Sequence, residues 1–392
     1  MYVSKVLKVL YAPRRTLKEV IESPKYIGPI VVMILLIVAT LGTTYITLSK
    51  NYYEQTLPTG ERYDEWTENS TFWTSNAVVT ESSDHINQTY YYGIYYYGNA
   101  SIEFSIVNSS QVWMQLGGIG SVDCSSPNVY HLLSLRTKWT SPDATPENVT
   151  LQMFSANTSD YFYTNLNDMF QNVSPDIWNN LTVDTLASSA REWFKTSSNA
   201  DWSKITGLEL NFTWSTSSNM TLLVDGLFFH GPFQSELEAG GSGYLVSNGV
   251  AAALQFAVTW VLLSGLAYIL VRALRGKSTW RPMLIAVGFI LMIMFVQTLI
   301  NAIGYLTWPV AHIPFELLGG VNGEGDAALK TITDQRSLGS QITTFAGILA
   351  AVWTIALVAV AVRLLAEFSW VKSIIVGIMA YIVTVIVSSF LV

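Results

Sequence analysis

Side chains able to do chemistry are few in this sequence. His85, His131, His230 and His312 are the only histidines, and none has a partner at metal-ligand spacing. His85 adjoins Asp84, but neighbours in a strand point to opposite faces. Ser242, in Gly240-Gly241-Ser242-Gly243, does not fit the G-x-S-x-G elbow of hydrolases. No phosphate-cradling loop is present. The sequence therefore predicts no catalytic residue, no metal centre and no cofactor, and an enzyme is the least supported class. Three other groups stand out. Gln297 and Asn301, four apart in an apolar run, share one helix face. They suit either a polar track for a small solute or hydrogen bonds between helices. Tyr92 and Tyr96, in a tyrosine-rich run around Gly93, could stack on sugar rings, or simply fit a strand. Asp225 is a candidate calcium ligand or a plain strand acid near a turn.

The elements that must carry these groups belong to two environments. Half of the 392 residues are hydrophobic and 12% are charged, against about 25% charged in soluble domains. Residues 50–245 hold 21 acidic and 7 basic side chains; the remainder holds 7 acidic and 14 basic. An acidic segment of this strength excludes nucleic acid as a partner, since phosphate binding needs clustered Lys and Arg. Cys124 is the single cysteine, so no intramolecular disulfide supports the fold.

Five apolar stretches, at 27–49, 248–271, 283–307, 343–362 and 371–391, each reach the roughly 20 residues that cross a bilayer. The first starts too late and is too long for a cleaved signal peptide. Before it lies an amphipathic leader, 1–26, broken by Pro13. Its Lys5, Lys8, Arg14, Arg15 and Lys18 are read as contacts to an anionic lipid surface, or as a dock for a cytoplasmic partner. Basic residues also fill the connections at Arg272–Arg281 and Arg363–Lys372. By the positive-inside rule all three segments face the cytoplasm. Residues 50–243, the loop 308–342 and the C-terminus then lie outside, which predicts a multi-pass protein of the plasma membrane.

The outer segment reads as an all-β sandwich. Short β-branched or alternating runs at 89–97, 101–107, 111–116, 130–138, 148–154, 178–184, 204–214 and 220–229 are separated by turn residues. One short helix is expected near Ala187–Phe194, and Gly240–Gly243 reads as a flexible joint. Ten N-x-S/T sequons fall in this segment, at Asn69, Asn87, Asn99, Asn108, Asn148, Asn157, Asn172, Asn180, Asn211 and Asn219. Their confinement to one segment predicts covalent N-glycans on a translocated domain. Many sequons without paired cysteines point to an archaeal envelope.

Two resemblances can be named. Residues 7–32, LKVLYAPRRTLKEVIESPKYIGPIVV, resemble the opening of prokaryotic members of the Yip1-domain family: an apolar leader, a proline, a short amphipathic helix and a proline-flanked entry into the first span. That resemblance implies a five-helix bundle with a cytoplasmic N-terminus. The aspartate-leucine-tyrosine-glycine-proline motif of eukaryotic trafficking members is absent, and with it any implication of GTPase binding. Trp202–Phe229, WSKITGLELNFTWSTSSNMTLLVDGLFF, is similar to the last two strands of galactose-binding or carbohydrate-binding jelly rolls, a strand, a hairpin and a hydrophobic-Asp-Gly-hydrophobic close.

The expected architecture is thus a membrane bundle of five transmembrane helices, with residues 244–392 holding the last four, plus an all-β, jelly-roll-like extracellular sandwich. The expected function is non-enzymatic: display of a glycosylated domain for membrane organisation or binding of a membrane-protein partner or second copy. Alternatives are glycan binding in envelope attachment, and a permease or channel subunit. For the permease reading, Asn301→Leu should reduce solute flux in liposomes; flux that it leaves unchanged removes that reading.

Overall fold

The computed structural model describes residues 2–59, 64–86, 97–171, 173–186, 191–315 and 324–390. They form two units. The helical unit takes residues 1–51, 235–311 and 332–392; the β unit takes 52–234 and 312–331.

In the helical unit, α1 (Tyr2–Tyr11) and α2 (Pro13–Glu22) form the leader and α3 (Ile27–Leu48) follows. Pro13 occupies the first turn of α2, where its missing N–H costs nothing. Then come α6 (Glu236–Ala273), α7 (Trp280–Ile290), α8 (Met292–Leu306), α10 (Ser337–Ala366) and α11 (Trp370–Ser388). Among the described residues, five helices, counting α7 and α8 as one, are long and apolar enough to cross a membrane. Within the most apolar 18 residues of each, 56% of the α7–α8 stretch is buried, against 28–39% for the other four. It is therefore the centre of the bundle, which fits a helix apolar on every side. Glycines let its neighbours approach. A Cβ on Gly28 would meet the Phe289 ring at 1.9 Å, and one on Gly288 would meet Pro29 at 2.5 Å.

The leader packs onto this bundle through its apolar stripe. Val6, Val9, Leu17 and Val20 are buried in one cluster with Val32, Leu36, Phe289 and Ile290. Lys8, Arg14, Arg15 and Lys18 stay exposed. The charged faces thus stay exposed, with Arg15 paired to Glu19 and Lys18 to Glu22, while the apolar face packs against protein.

The β unit is built on long strands. In chain order these are β1 (Asn51–Leu57), β2 (Trp73–Ser75), β3 (Val78–Ser82), β4 (Ser101–Leu116), β5 (Leu132–Ser141), β6 (Asn148–Ser155), β7 (Asn157–Asn165), β8 (Asn179–Asp184), β9 (Phe194–Lys195), β10 (Ile205–Ser235) and β11 (Ala311–Ile313). Short helices α4 (Glu65–Glu68) and α5 (Asn167–Phe170) lie between strands, and α9 (Glu324–Gln335) follows β11. β10 is the spine. Its first half pairs with β4 and β6, its second half with β4 and β5, and it also pairs with β1. β4 and β10 cross together from one sheet to the other. The register slips between Thr213 and Met220, and Asn108 opposite adopts φ 51. Strands that switch sheets at bulges are how a sandwich closes its corners. Phe212 from one sheet meets Phe170 edge-on at 5.3 Å, and Phe170 meets Trp139 of the other sheet at 6.0 Å.

Several expectations change. The runs 204–214 and 220–229 are one continuous strand, with no hairpin between them. The exposed Ser215–Ser217 stretch carries the bend instead. Phe194 belongs to β9, not to a helix, while 187–190 lie outside the described residues, as does most of the expected strand at 89–97. Gly240–Gly243 is not an open joint but part of α6, kinked where Gly240 leaves helical geometry (φ −161, ψ 16). The helices also outrun the apolar stretches: α6 starts at Glu236 rather than 248, and α10 spans Ser337–Ala366 rather than 343–362. Hydropathy registers only the lipid-compatible part of a helix.

Phe212→Ala should cost about 3–5 kcal/mol, the usual penalty for emptying a buried aromatic site. A lower denaturant midpoint, followed by tryptophan fluorescence of the solubilised full chain, checks it.

Candidate functional site

The middle of β10 carries a conflict between burial and charge. Asp225 and Asp64 are both fully buried. Between Asp225 and Phe228 the strand bulges against β5, and Gly226 takes φ 56. A side chain there would be strained, and its Cβ would lie 2.6 Å from the Tyr97 ring. The bulge turns the Gly226 N–H toward the acids: it donates to Asp225 Oδ1 at 2.7 Å and Asp64 Oδ2 at 3.1 Å. Asp225 Oδ2 accepts from Ile86 N at 2.8 Å. Asp64 Oδ2 accepts from Thr67 Oγ1 at 2.8 Å. Burial pushes the Asp64 carboxyl up to about 6. Burial and then the neighbouring Asp64 charge hold Asp225 well above the carboxylate range. Two carboxyls in hydrogen-bond contact cannot both ionise cheaply, so near neutral pH they share a proton. Glu68 completes a trio whose oxygens lie within 4.8 Å of one another, an all-oxygen set of the kind calcium prefers. Glu68 is already engaged by the Asn99 and Ala100 amides, each 3.0 Å from Oε1.

A second constellation escaped sequence reasoning because its members are far apart in the chain. Ser134 Oγ lies 2.6 Å from His230 Nε2. His230 Nδ1 lies 3.1 Å from Glu54 Oε1, an ion-pair distance without the alignment of a full hydrogen bond. Glu54 Oε2 accepts from Phe315 N at 2.9 Å. Burial works to raise the Glu54 carboxyl, but contacts from His230 and the Phe315 amide outweigh it and lower the pKa. The order serine, imidazole, carboxylate is that of hydrolase triads. A hydrolase nucleophile, however, sits on a strained turn that exposes its oxygen. Ser134 sits mid-strand, flanked by Phe228 on β10 and Thr182 on β8. The contact is a tie between β1, β5 and β10. Cys124 is equally quiet, its thiol pushed up to about 12 by burial.

The accessible polar surface lies at the ends of β7, β8 and β9. A cleft of about 540 Å³ is lined by Thr164, Asn165, Asp168, Asp184, Arg191 and Phe194, among others. Arg191 holds Asp168 through both guanidinium nitrogens, at 2.7 and 3.1 Å, and this contact lowers the Asp168 pKa. Phe194 stacks on Tyr163 at 5.3 Å and 26°, and both rings are exposed. Carboxylates, amide and hydroxyls beside an exposed ring form a surface for a ligand rich in hydroxyl groups. In the sequence, the aromatic run Tyr161–Tyr163 was the available signal of a strand there. The expected helix over 187–194 concealed it.

The remaining expected site residues fall as follows. Asn69, Asn99, Asn108, Asn157, Asn180 and Asn219 are exposed, and Asn148 and Asn211 are half-buried. Asn87, Asn172, Tyr92, Tyr96 and the side chain of Lys5 lie outside the described residues. Gln297 lines an otherwise apolar cleft beside α10, whereas Asn301 Oδ1 is buried without a hydrogen-bond partner. Both lie on α8, four residues apart. Asp225 pairs with Asp64, a partner supplied from the far end of the β unit.

A family model of the Yip1 domain matches residues 192–392, just over half of the 392-residue chain. The leader and α3, which carried the resemblance in the sequence, precede that match. No curated protein matches the sequence. Among solved structures, the chain is similar to a family 11 carbohydrate-binding module from Clostridium thermocellum in complex with a β-1,3-1,4-mixed-linked tetrasaccharide. The identity is 13% over 46% of this chain and 97% of that one, with a TM-score of 0.28. A family 30 carbohydrate-binding module of a Clostridium thermocellum cellulosomal cellulase matches at 13% identity over 40% of this chain and 90% of that one, TM-score 0.27. A β-1,2-glucanase from Parabacteroides distasonis matches at 12% identity over 43% of this chain and 25% of that one, TM-score 0.29.

Asp64→Asn tests the buried pair. Its amide oxygen keeps Thr67 and Gly226, and its NH₂ donates to Asp225. In the wild type both acids have raised pKa values when folded, so stability is fullest below about 4. It is lost as pH rises through about 6 and beyond. The variant should melt a few degrees higher than wild type at pH 7.5, with the gap closing near pH 4. Calcium that raised only the wild-type midpoint at pH 7.5 would instead assign the trio to a cation.

Proposed function

The chain belongs to the Yip1 domain family, and from that premise we propose that it is a non-enzymatic surface protein of the cell membrane that recognises a saccharide-bearing partner. Five membrane-crossing helices make it a multi-pass membrane protein. Its basic residues concentrate in the leader and in the connections Arg272–Arg281 and Arg363–Lys372. Lys and Arg in short loops stay on the cytoplasmic side, so the acidic β-sandwich faces outward with the C-terminus. Six exposed sequon asparagines support its being N-glycosylated there. Membrane lipids and a second membrane protein are the partners of the bundle; nucleic acid is not.

One observation carries the recognition role: the polar cleft of about 540 Å³ bounded by Asp168, Asp184, Arg191 and Phe194. It combines paired hydrogen-bonding groups with an exposed aromatic face. Phe194→Ala and Asp184→Asn should each weaken binding of an envelope polysaccharide to the full-length protein in detergent by about tenfold, or 1.4 kcal/mol. Titration by calorimetry checks this. Failure to retain any saccharide, or wild-type affinity in both variants, removes the saccharide reading and leaves a protein partner for the domain.

A further inference from the structure

Two clefts of the helical unit lie along one stripe of α10. The first, about 320 Å³, is bounded by Leu10, Ile293, Val296, Ile300, Leu349 and Trp353, with Ala346 and Ala350 beside them. Apart from Gln297 its lining is apolar. The second, about 300 Å³, is bounded by Arg14, Val360, Arg363, Leu364, Glu367 and Trp370, with Phe368 beside them. Ala346, Ala350, Trp353, Val360 and Arg363 succeed one another at intervals of three, four or seven residues, which places them on one helix face, and Glu367 follows at the end of the helix. The leader follows the same line: Leu10 borders the apolar cleft and Arg14 the polar one.

The two ends differ in a way that fits one class of molecule. At the polar end the Arg363 guanidinium lies 4.5 Å over the Trp370 ring, which holds its plane in place. Arg14 is exposed on the leader. Glu367 turns out of the helix at φ 53, its N–H donating to Arg363 O at 3.0 Å. Two guanidiniums against one carboxylate leave a net charge of +1, the complement of a single phosphodiester. At the apolar end, Leu349 and Trp353 lie ten to fourteen residues up the helix from Arg363. At 1.5 Å per residue that is about 15–21 Å. One leaflet of hydrocarbon is half of roughly 30 Å, so a chain starting at Arg363 would end beside Trp353.

We infer that this track holds one anionic phospholipid, its phosphate between Arg14 and Arg363 and an acyl chain along the Ala346–Trp353 stripe. The lipid would fill the seam between leader and α10. It is independent of the outer cleft and of any saccharide.

Native mass spectrometry of the full chain, equilibrated in detergent with equal phosphatidylglycerol and phosphatidylcholine, tests it. The wild type should retain one phosphatidylglycerol about tenfold in preference, since the choline cation of the other lipid meets two arginines. Arg14→Gln and Arg363→Gln should each abolish that preference. Lys277→Gln, at an exposed residue of the connection between α6 and α7 and outside the track, should leave it intact. Ala350→Phe, which fills the apolar half with both arginines in place, should lose both lipids. Excess inorganic phosphate should displace neither. Preference unchanged in both arginine variants, an equal loss in Lys277→Gln, or displacement by phosphate overturns the inference. Melting curves matched to wild type exclude simple unfolding as the cause of a loss.

Discussion

A strand buried on both faces must satisfy every backbone N–H and C=O inside the sheet. β10 is such a strand over Leu222–Gly231, and its 31 residues meet the demand with four neighbours, β1, β4, β5 and β6. The rest of the β unit follows from this ladder. Because the strand is too long for one flat sheet, it bends at its exposed serines and takes β4 with it. The two halves then present Phe212 and Phe229 to a common core. Because the second half is covered on its other face too, by Ile86, Tyr97 and Phe315 around Phe228, its one acid has no water. Asp225 therefore needs the bulge at Gly226 and the shared proton of Asp64.

The helical unit answers a different constraint. Lipid offers no hydrophobic drive between helices, so close packing decides their arrangement. The glycines at 28 and 288 let α3 and α7 approach, and the leader adds its apolar stripe to the same cluster. A leader held this way presents its arginines at fixed positions rather than as a diffuse basic surface.

What could be read from the sequence reflects the range of each signal. The five spans were legible because about twenty apolar residues in a row have few other uses. The alternation of Leu208, Leu210 and Phe212 announced a half-buried strand. The polar Ser215–Asn219 run reads as a hairpin by local chemistry, and only the partner strand β4 shows that the chain goes straight on. Glu54, Ser134 and His230 carry no shared local pattern. Asp64 stands 162 positions from Gly226, whose amide it accepts. Register alone brings such groups together, and register is not a local property. The cleft around Arg191 and Phe194 was hidden for the opposite reason, since a local helical reading was available there and was mistaken.

Cys124 has a practical and a biological consequence. Its sulfur is sealed in the core and stays protonated to about pH 12, and it has no second thiol to meet. The β unit therefore has no intramolecular disulfide to form or to break as the redox state of its surroundings changes. For the experimenter the native chain already behaves as a cysteine-free background. A reporter thiol placed on either unit would be the only one that a spin label or fluorophore finds.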